Sequence, residues 1–179
     1  MYRITQLNLS NRRVFHTNDL AVLWEIEDRH HLYMTISRYL DRGTLFHVFK
    51  GLYATVPVSD LDPLELGTAI IHRYTYLSTE TILAQAGIIS QAVYDLTFIS
   101  DLSKRVQVGT WSFRYRQLKD SFLFNPIGIN KHPYGFMATL ERAVADLLYY
   151  NPRYHFDVPD LIDFDLVRSI QKEVGYGNG

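Results

Sequence analysis

The sequence predicts an α+β protein built from two domains, and three observations lead to that prediction. Helical and strand-like patterns alternate along the whole chain of 179 residues. A polar segment with two prolines, residues 57–63, separates two regions that differ in their sequence patterns, as a linker does. With 47% hydrophobic residues, the chain can bury roughly 70% of its unfolded surface. We therefore expect an N-terminal domain at residues 1–56 and a second domain at residues 64–179.

Two amphipathic helices joined by a short break are predicted in the N-terminal domain. Thr17 is suited to cap the first helix, and Asp19 lies in the first turn, where a carboxylate favours the positive helix end. The break at residues 25–29 is charged and contains no glycine. The second helix is predicted from about residue 30 to residue 41 and ends at Gly43.

A hairpin punctuated by glycine follows these helices. Residues 45–49 and 52–56 have strand-like composition and are joined around Lys50 and Gly51, which gives a tight turn with a basic tip. A helix, a turn, a helix and a hairpin in this order are typical of a winged helix-turn-helix, which holds its second helix against the major groove of DNA. Residues 1–13 fit this arrangement least well, because their two leucines stand in a polar stretch that makes a poor helix.

The second helix carries a polar stripe on the side away from its apolar residues. At 100° per residue, Leu32, Ile36 and Leu40 share one side of the helix. The opposite stripe, together with the tip of the hairpin, supplies the predicted contacts to double-stranded DNA, which are His31, Thr35, Arg38, Arg42 and Lys50. A bidentate contact from arginine to guanine discriminates by about 1–3 kcal/mol. A solvated helix face is the alternative interpretation of the stripe, and Asp41 beside it opposes DNA binding.

The second domain combines helices with a short antiparallel sheet. Strand-like segments occur at residues 96–100, 105–108 and 111–115, with helical spacing at residues 136–150 and 160–174. One hairpin of this sheet has five basic residues and no acidic residue, namely Lys104, Arg105, Arg114, Arg116 and Lys119. Three interpretations of this second basic surface stay open: a nucleic-acid surface, a face for an acidic partner, and ordinary outward charge on an edge hairpin.

Composition excludes several classes of chemistry. The chain has no cysteine, which removes disulfides, thiolate zinc sites and cysteine nucleophiles. Its apolar runs are much shorter than the roughly 20 residues of a membrane span, and residues 1–13 lack the apolar stretch of a secretory signal. We therefore expect a cytoplasmic protein that does not contact a membrane.

The net charge of the whole chain is −1, which argues against a protein surface that is basic throughout. Within that average, residues 1–56 carry +2 and the remainder −3. The sign of this asymmetry is the one that an N-terminal DNA-binding domain needs.

Neither a metal site nor a catalytic site is predicted, and no cofactor is expected. The histidines do not have the spacing of metal ligands, and no HExxH motif occurs. Glu80, Asp95 and Asp101 could in principle form a metal-dependent nuclease site with Lys104, but no recognisable spacing links them.

Four segments of the chain, in this order, resemble the AbiEi-type antitoxins, which are predicted transcriptional regulators of phage-defence systems of the type IV toxin-antitoxin class. The segments are Thr17-Asn18-Asp19-Leu20-Ala21; Gly43-Thr44-Leu45 with Lys50-Gly51-Leu52-Tyr53-Ala54; Tyr76-Leu77-Ser78-Thr79-Glu80 through Ala86-Gly87-Ile88-Ile89; and Glu141-Arg142-Ala143 with Asp146-Leu147-Leu148-Tyr149. Together they cover most of residues 15–150. The family usually has lysine where this chain has Arg142, so the charge is retained.

The resemblance implies an N-terminal winged helix that binds DNA and represses its own operon. The rest of the chain would then act as an antitoxin against a nucleotidyltransferase toxin encoded beside it. Two copies on an inverted repeat would match the symmetry of protein and operator, so a homodimer is expected. Two alternatives from other classes remain: an adaptor that holds a partner enzyme without specific DNA binding, and the metal-dependent nuclease.

Overall fold

A computed structural model describes residues 2–177 of the chain. It has mixed α and β structure, which confirms the predicted α+β class, with eight α-helices and two sheets in the described part. Two compact units make up the chain, Met1–Ile70 and Ile71–Gly179. None of the helices formed by residues 2–177 has both the length and the apolar character needed to cross a membrane.

The first unit contains four helices and a three-stranded antiparallel sheet. Its elements are α1 (Tyr2–Leu9), β1 (Val14–His16), α2 (Thr17–Leu23), α3 (Arg29–Asp41), β2 (Phe46–Phe49), β3 (Leu52–Ala54) and α4 (Pro63–Ile70). The strands are ordered β1-β3-β2, so the strand that precedes the helix pair joins the hairpin that follows it.

Helix α1 forms although residues 1–13 were expected to make a poor helix. Leu7 is only 1% exposed and belongs to the apolar core of this unit, together with Phe15 and Leu20. Helices α2 and α3 meet in the same core, where the rings of Trp24 and Tyr39 stack with their centroids 5.1 Å apart. Burial of one leucine therefore anchors a helix whose own sequence is mostly polar.

The turn between α2 and α3 is made without glycine. Glu25 adopts the left-handed conformation with φ of +54°, a region that costs most residues other than glycine about 1 kcal/mol or more. The turn then ends at Asp28, whose carboxylate accepts a hydrogen bond of 2.7 Å from the backbone N–H of His31 and so caps α3.

Helix α4 belongs to the first unit, whereas the predicted second domain started at residue 64. The guanidinium of Arg13 on the first unit pairs with Glu65 of α4 at 2.5 Å, and a ring nitrogen of His16 lies 2.6 Å from the carbonyl oxygen of Ala69. The boundary between the compact units accordingly falls after Ile70 and not in the proline-containing segment 57–63.

The second unit is a six-stranded mixed sheet with four helices. Its elements are β4 (Tyr76–Leu77), α5 (Glu80–Gln85), β5 (Asp95–Ser100), β6 (Lys104–Val108), β7 (Trp111–Gln117), α6 (Asp120–Leu123), β8 (Ile129–His132), β9 (Gly135–Ala138), α7 (Leu140–Tyr150) and α8 (Phe164–Val174). The strands are ordered β6-β7-β5-β4-β9-β8.

This sheet differs from the short antiparallel sheet predicted from sequence. Strand β5 pairs in parallel with β7, and β4 pairs in parallel with β9, while the remaining pairs are antiparallel. Strand β4 is only two residues long but lies inside the sheet between β5 and β9. Because parallel partners are distant in sequence, their pairing leaves no local sequence pattern.

Candidate nucleic-acid interface

Helix α3 buries the side that carries Leu32, Thr35, Ile36 and Tyr39. This placement corrects the prediction that Thr35 contacts DNA, because Thr35 is only 3% exposed. Its position three residues after Leu32 and four before Tyr39 puts it within the apolar stripe of the helix. The Thr35 hydroxyl has no hydrogen-bond partner among residues 2–177.

The outward face of α3 is centred on Tyr33 and Met34, which are 54% and 47% exposed. His31, Arg38 and Arg42 are exposed as predicted, but at 100° per residue they lie along one flank of this face. Asp41 is exposed near its centre. The surface that α3 offers is therefore an apolar pair with arginines on one side, whereas the prediction was a polar stripe of His31, Thr35, Arg38 and Arg42.

Lys50 is exposed at the tip of the hairpin formed by β2 and β3. The tip is held at the start of α2, because the Gly51 carbonyl accepts hydrogen bonds from the backbone N–H of Thr17 at 2.9 Å and from its hydroxyl at 3.2 Å. Gly51 has φ of +72°, and a side chain there would press on the Thr17 hydroxyl. The hairpin thus keeps Lys50 beside the first turn of α2.

The cations of α3 are not neutralised by carboxylates. Arg12 pairs with Asp19 at 3.0 Å, and Arg13 pairs with Glu65, so the two arginines directly before β1 are engaged. No ion pair within the described chain involves Arg38, and the same holds for Arg29, Arg42 and Lys50. Four exposed carboxylates lie in the same part of the unit and reduce the local positive potential, namely Glu25, Glu27, Asp28 and Asp41.

The second basic surface is divided by carboxylates that the sequence did not place near it. Arg105 pairs with Asp95 at 2.8 Å, and Arg116 pairs with both carboxylate oxygens of Glu80 at 3.2 Å. Arg114 lies between them, half-buried, and makes no ion pair in the part of the chain that the structure describes. The outer two predicted residues, Lys104 and Lys119, are exposed.

The carboxylates of the nuclease alternative are likewise paired. Asp95 and Glu80 hold the arginines just described, and Asp101 pairs with Arg73 at 2.5 Å. The described residues contain no group of three or more histidine, cysteine, aspartate or glutamate side chains that could hold a metal ion.

The most deeply buried polar cluster was missed by sequence reasoning. Arg142 and Asp146, four residues apart on α7, form an ion pair of 2.8 Å with both side chains 0% exposed. Asp146 also accepts hydrogen bonds from the hydroxyls of Tyr76, Ser78 and Tyr176. The resemblance segments contain Tyr76, Ser78, Arg142 and Asp146, so the signal was present as a sequence pattern, but their contact depends on the fold.

The remaining donors of Arg142 reach β4, α6 and the loop after α6. Its two terminal nitrogens donate to the backbone carbonyls of Phe122, Asn125 and Ile127 and to the Tyr76 hydroxyl, at 2.8–3.2 Å. Gly128 closes this loop with φ of +68°, and a side chain on it would lie 2.7 Å from the Cβ of Arg142. The cluster is therefore fully bonded, and it ties β4, α7 and the loop after α6 together.

Burial raises the pKa of two tyrosines in this cluster. Desolvation, followed by the negative charge of Asp146, raises the pKa of Tyr76 and of Tyr176 above the ordinary value. The carboxylate of Asp146 raises the pKa of Arg142 against the opposing effect of burial. At neutral pH the cluster holds a charged arginine and two neutral tyrosine hydroxyls that donate to Asp146.

Comparison with known proteins adds no family to these observations: no family model matches the chain, and neither does any curated protein.

Proposed function

We propose that this protein is a cytoplasmic regulator that binds double-stranded DNA through a winged helix in its first unit. The observation that carries the proposal is the element order α1-β1-α2-α3-β2-β3 with the strands arranged β1-β3-β2. In winged-helix proteins this order leaves the second helix of the pair free to enter the major groove. The exposed outward face of α3 and its unpaired arginines support that role.

Contacts to DNA would be shared between base reading and phosphate binding. Arg38 and Arg42 on the flank of α3 suit guanine or phosphate contacts, and Lys50 on the hairpin suits a phosphate. Tyr33 and Met34 at the centre of the face favour apolar contact with thymine methyl groups. The corrected face therefore favours an operator with thymine at its centre over one that is rich in guanine throughout.

The second unit would supply the function that distinguishes this protein. The resemblance to AbiEi-type antitoxins supports a repressor that acts as two copies on an inverted repeat and neutralises a nucleotidyltransferase toxin. The segments that carry this resemblance in the second unit include the residues of the buried Arg142–Asp146 cluster. In that role the cluster is structural and stabilises the fold of the second unit, which would carry the antitoxin surface.

A DNA titration with the full chain tests the proposal. Fragments of the promoter region would be titrated by fluorescence anisotropy at 50 and 200 mM salt, with wild type, Arg38→Ala, Arg42→Ala and Lys50→Ala. We expect each variant to bind more weakly and to reduce the slope of log affinity against log salt by about 0.9 for each phosphate that it no longer neutralises. Arg153→Ala, an exposed arginine of the second unit, is the matched control and should bind as wild type does. Identical slopes for wild type and the three α3 and hairpin variants would contradict the assignment.

A protein-binding adaptor is the second candidate, favoured by the exposed Tyr33 and Met34 with Asp41 close by. An apolar pair beside a carboxylate suits a protein partner better than a phosphate backbone. The double variant Tyr33→Ala with Met34→Ala separates the two candidates. It should abolish capture of the enzyme encoded in the neighbouring reading frame if α3 is an adaptor surface, and should instead weaken promoter binding if α3 reads DNA.

A further inference from the structure

An open groove of about 690 Å³ lies in the second unit where β6 begins and β7 ends. Its lining contains four cations and no carboxylate: Ser103, Lys104, Arg105, Arg114, Tyr115, Arg116, Gln117 and Tyr150. The volume falls within the range of small-molecule sites, about 300–1,000 Å³, and is far larger than a single inorganic ion requires.

Three guanidinium groups share one side of the sheet beside this groove. Arg105 and Arg114 are direct partners across the antiparallel pair of β6 and β7. Arg116 lies two residues after Arg114 on the same strand and so points to the same face. Like charges directly opposite one another destabilise a sheet. Asp95 and Glu80 each pair with one flanking arginine, so Arg114 is the guanidinium that a bound anion would neutralise.

The flanking arginines are fixed in place while the central one is not. Asp95 holds Arg105 at 2.8 Å, and Asp95 is itself oriented by the Ser112 hydroxyl at 2.6 Å. Arg116 is held by Glu80 and also lies over the Tyr150 ring, 4.5 Å from its centroid. Arg114 has no carboxylate partner in the described chain, although it sits half-buried between them. The groove is therefore preorganised around one uncommitted guanidinium.

We propose that this groove binds the phosphate groups of a nucleotide-type ligand, with Arg114 as the central contact. The planar fork of arginine matches phosphate oxygens in pairs, and a groove of this size has room for several phosphate groups on one ligand. The same chemistry is offered by a free nucleoside triphosphate and by the phosphorylated end of a nucleic-acid strand. This site lies in the second unit and is independent of DNA binding by α3.

Calorimetric titration of the full chain tests the site. The probes are ATP, inorganic triphosphate, adenosine, and a single-stranded hexanucleotide with and without a 5′-phosphate. We expect triphosphate and ATP to bind and adenosine not to bind, with Arg114→Ala weakening the affinity at least tenfold and Arg114→Lys weakening it less. Lys131→Ala, on the opposite edge strand β8, is the control and should bind as wild type does.

The probes also identify the source of the phosphate. Preference for ATP over the 5′-phosphorylated hexanucleotide indicates a free nucleotide, and the reverse preference, abolished without the 5′-phosphate, indicates a strand end. Arg38→Ala should leave triphosphate binding unchanged, so a failure of DNA binding by α3 does not affect this test. If Arg114→Ala does not fold, Arg114→Lys and the side-chain Nε–H resonance of Arg114 on addition of triphosphate replace it. Absence of binding by every phosphorylated probe, equal affinity of wild type and Arg114 variants, or an unmoved resonance would overturn the proposal.

Discussion

Removal of the Arg142 side chain should be the most damaging single truncation in the second unit. Arg142→Ala leaves the carboxylate of Asp146 buried without its counter-charge, since both side chains are 0% exposed. Breaking a buried ion pair from one side costs about 3–5 kcal/mol. Three backbone carbonyls of α6 and the loop after it also lose their donor, at about 1–3 kcal/mol each where water does not reach them.

The expected loss in the free energy of unfolding is smaller than the sum of these costs, because other groups compensate in part. Three hydroxyls continue to donate to Asp146 after the substitution, from Tyr76, Ser78 and Tyr176. Water can also enter the space that the side chain leaves. We therefore expect Arg142→Ala to lower the free energy of unfolding by about 4 kcal/mol, a large part of the roughly 5–15 kcal/mol that is typical of a whole domain.

The two tryptophans allow the units to be followed separately by fluorescence during urea unfolding. Trp111 lies on β7 of the second unit, and Trp24 lies in the core of the first. In a Trp24→Phe background the emission reports the second unit alone. The cycle of Arg142→Ala, Asp146→Ala and the double variant gives the coupling energy, which we expect to exceed about 2 kcal/mol because the two opposite charges are fully buried against each other.

Arg142→Lys is the more specific test of the hydrogen bonds, since it retains the positive charge. Lysine has three donors on one nitrogen and cannot reach Asp146, Tyr76 and the loop carbonyls together, so we expect it to cost about half as much as alanine. A loss below about 1 kcal/mol for Arg142→Ala, or a coupling energy near zero, would refute the argument that this cluster holds the second unit together.

Three further predictions concern the conformation, burial and ionisation of single residues. Thr35→Val should raise the free energy of unfolding by about 1 kcal/mol, because it removes a buried hydroxyl without a partner while keeping the side-chain shape. The variant should leave DNA affinity unchanged, and weaker DNA binding would mean that Thr35 contacts DNA. Glu25→Gly should stabilise the first unit by up to about 1 kcal/mol through relief of its φ of +54°, and a lower urea midpoint would mean that the Glu25 side chain matters more than its backbone. The raised pKa values of Tyr76 and Tyr176 stabilise the fold fully below pH 10, where unfolded tyrosine is also protonated; above about pH 10 the unfolded chain loses protons first, so stability should fall by about 1.4 kcal/mol per pH unit for each tyrosine. Urea midpoints from pH 9 to 11.5 check this sign, and a slope that is the same in Tyr176→Phe as in wild type would exclude Tyr176 as a contributor.

Local pattern was enough to find the helix pair and the hairpin of the first unit. The first predicted helix, which starts at Thr17, and the second, from about residue 30 to residue 41, correspond to α2 and α3, and the hairpin around Lys50 and Gly51 is present. Short-range sequence features specify such elements, because capping residues, apolar spacing and turn glycines act within a few residues of one another. The α+β class followed from the same signals.

The structure shows how far the buried side of α3 extends around the helix. The predicted stripe assigned Thr35 to the side away from Leu32 and Ile36, yet at 100° per residue Thr35 lies only 60° from Leu32, and the structure buries it on the same side as Leu32 and Tyr39. In the same way, burial of Leu7 produced a helix where the local sequence was weak. Amphipathic patterns define the centre of a buried stripe better than its edges, and candidate binding residues lie at the edges.

Residue order and composition were sufficient to establish the succession of elements in the first unit, the absence of cysteine chemistry and the presence of a basic hairpin in the second unit. Long-range packing was needed to show that this hairpin joins a mixed six-stranded sheet, that carboxylates from β5 and α5 hold two of its arginines, and that Arg142 and Asp146 meet Tyr76 and Tyr176. The difference is one of range. Propensities and caps act between neighbours in sequence, whereas parallel strand pairing and buried charge clusters join residues up to 70 positions apart, and their energies depend on burial that no local segment possesses.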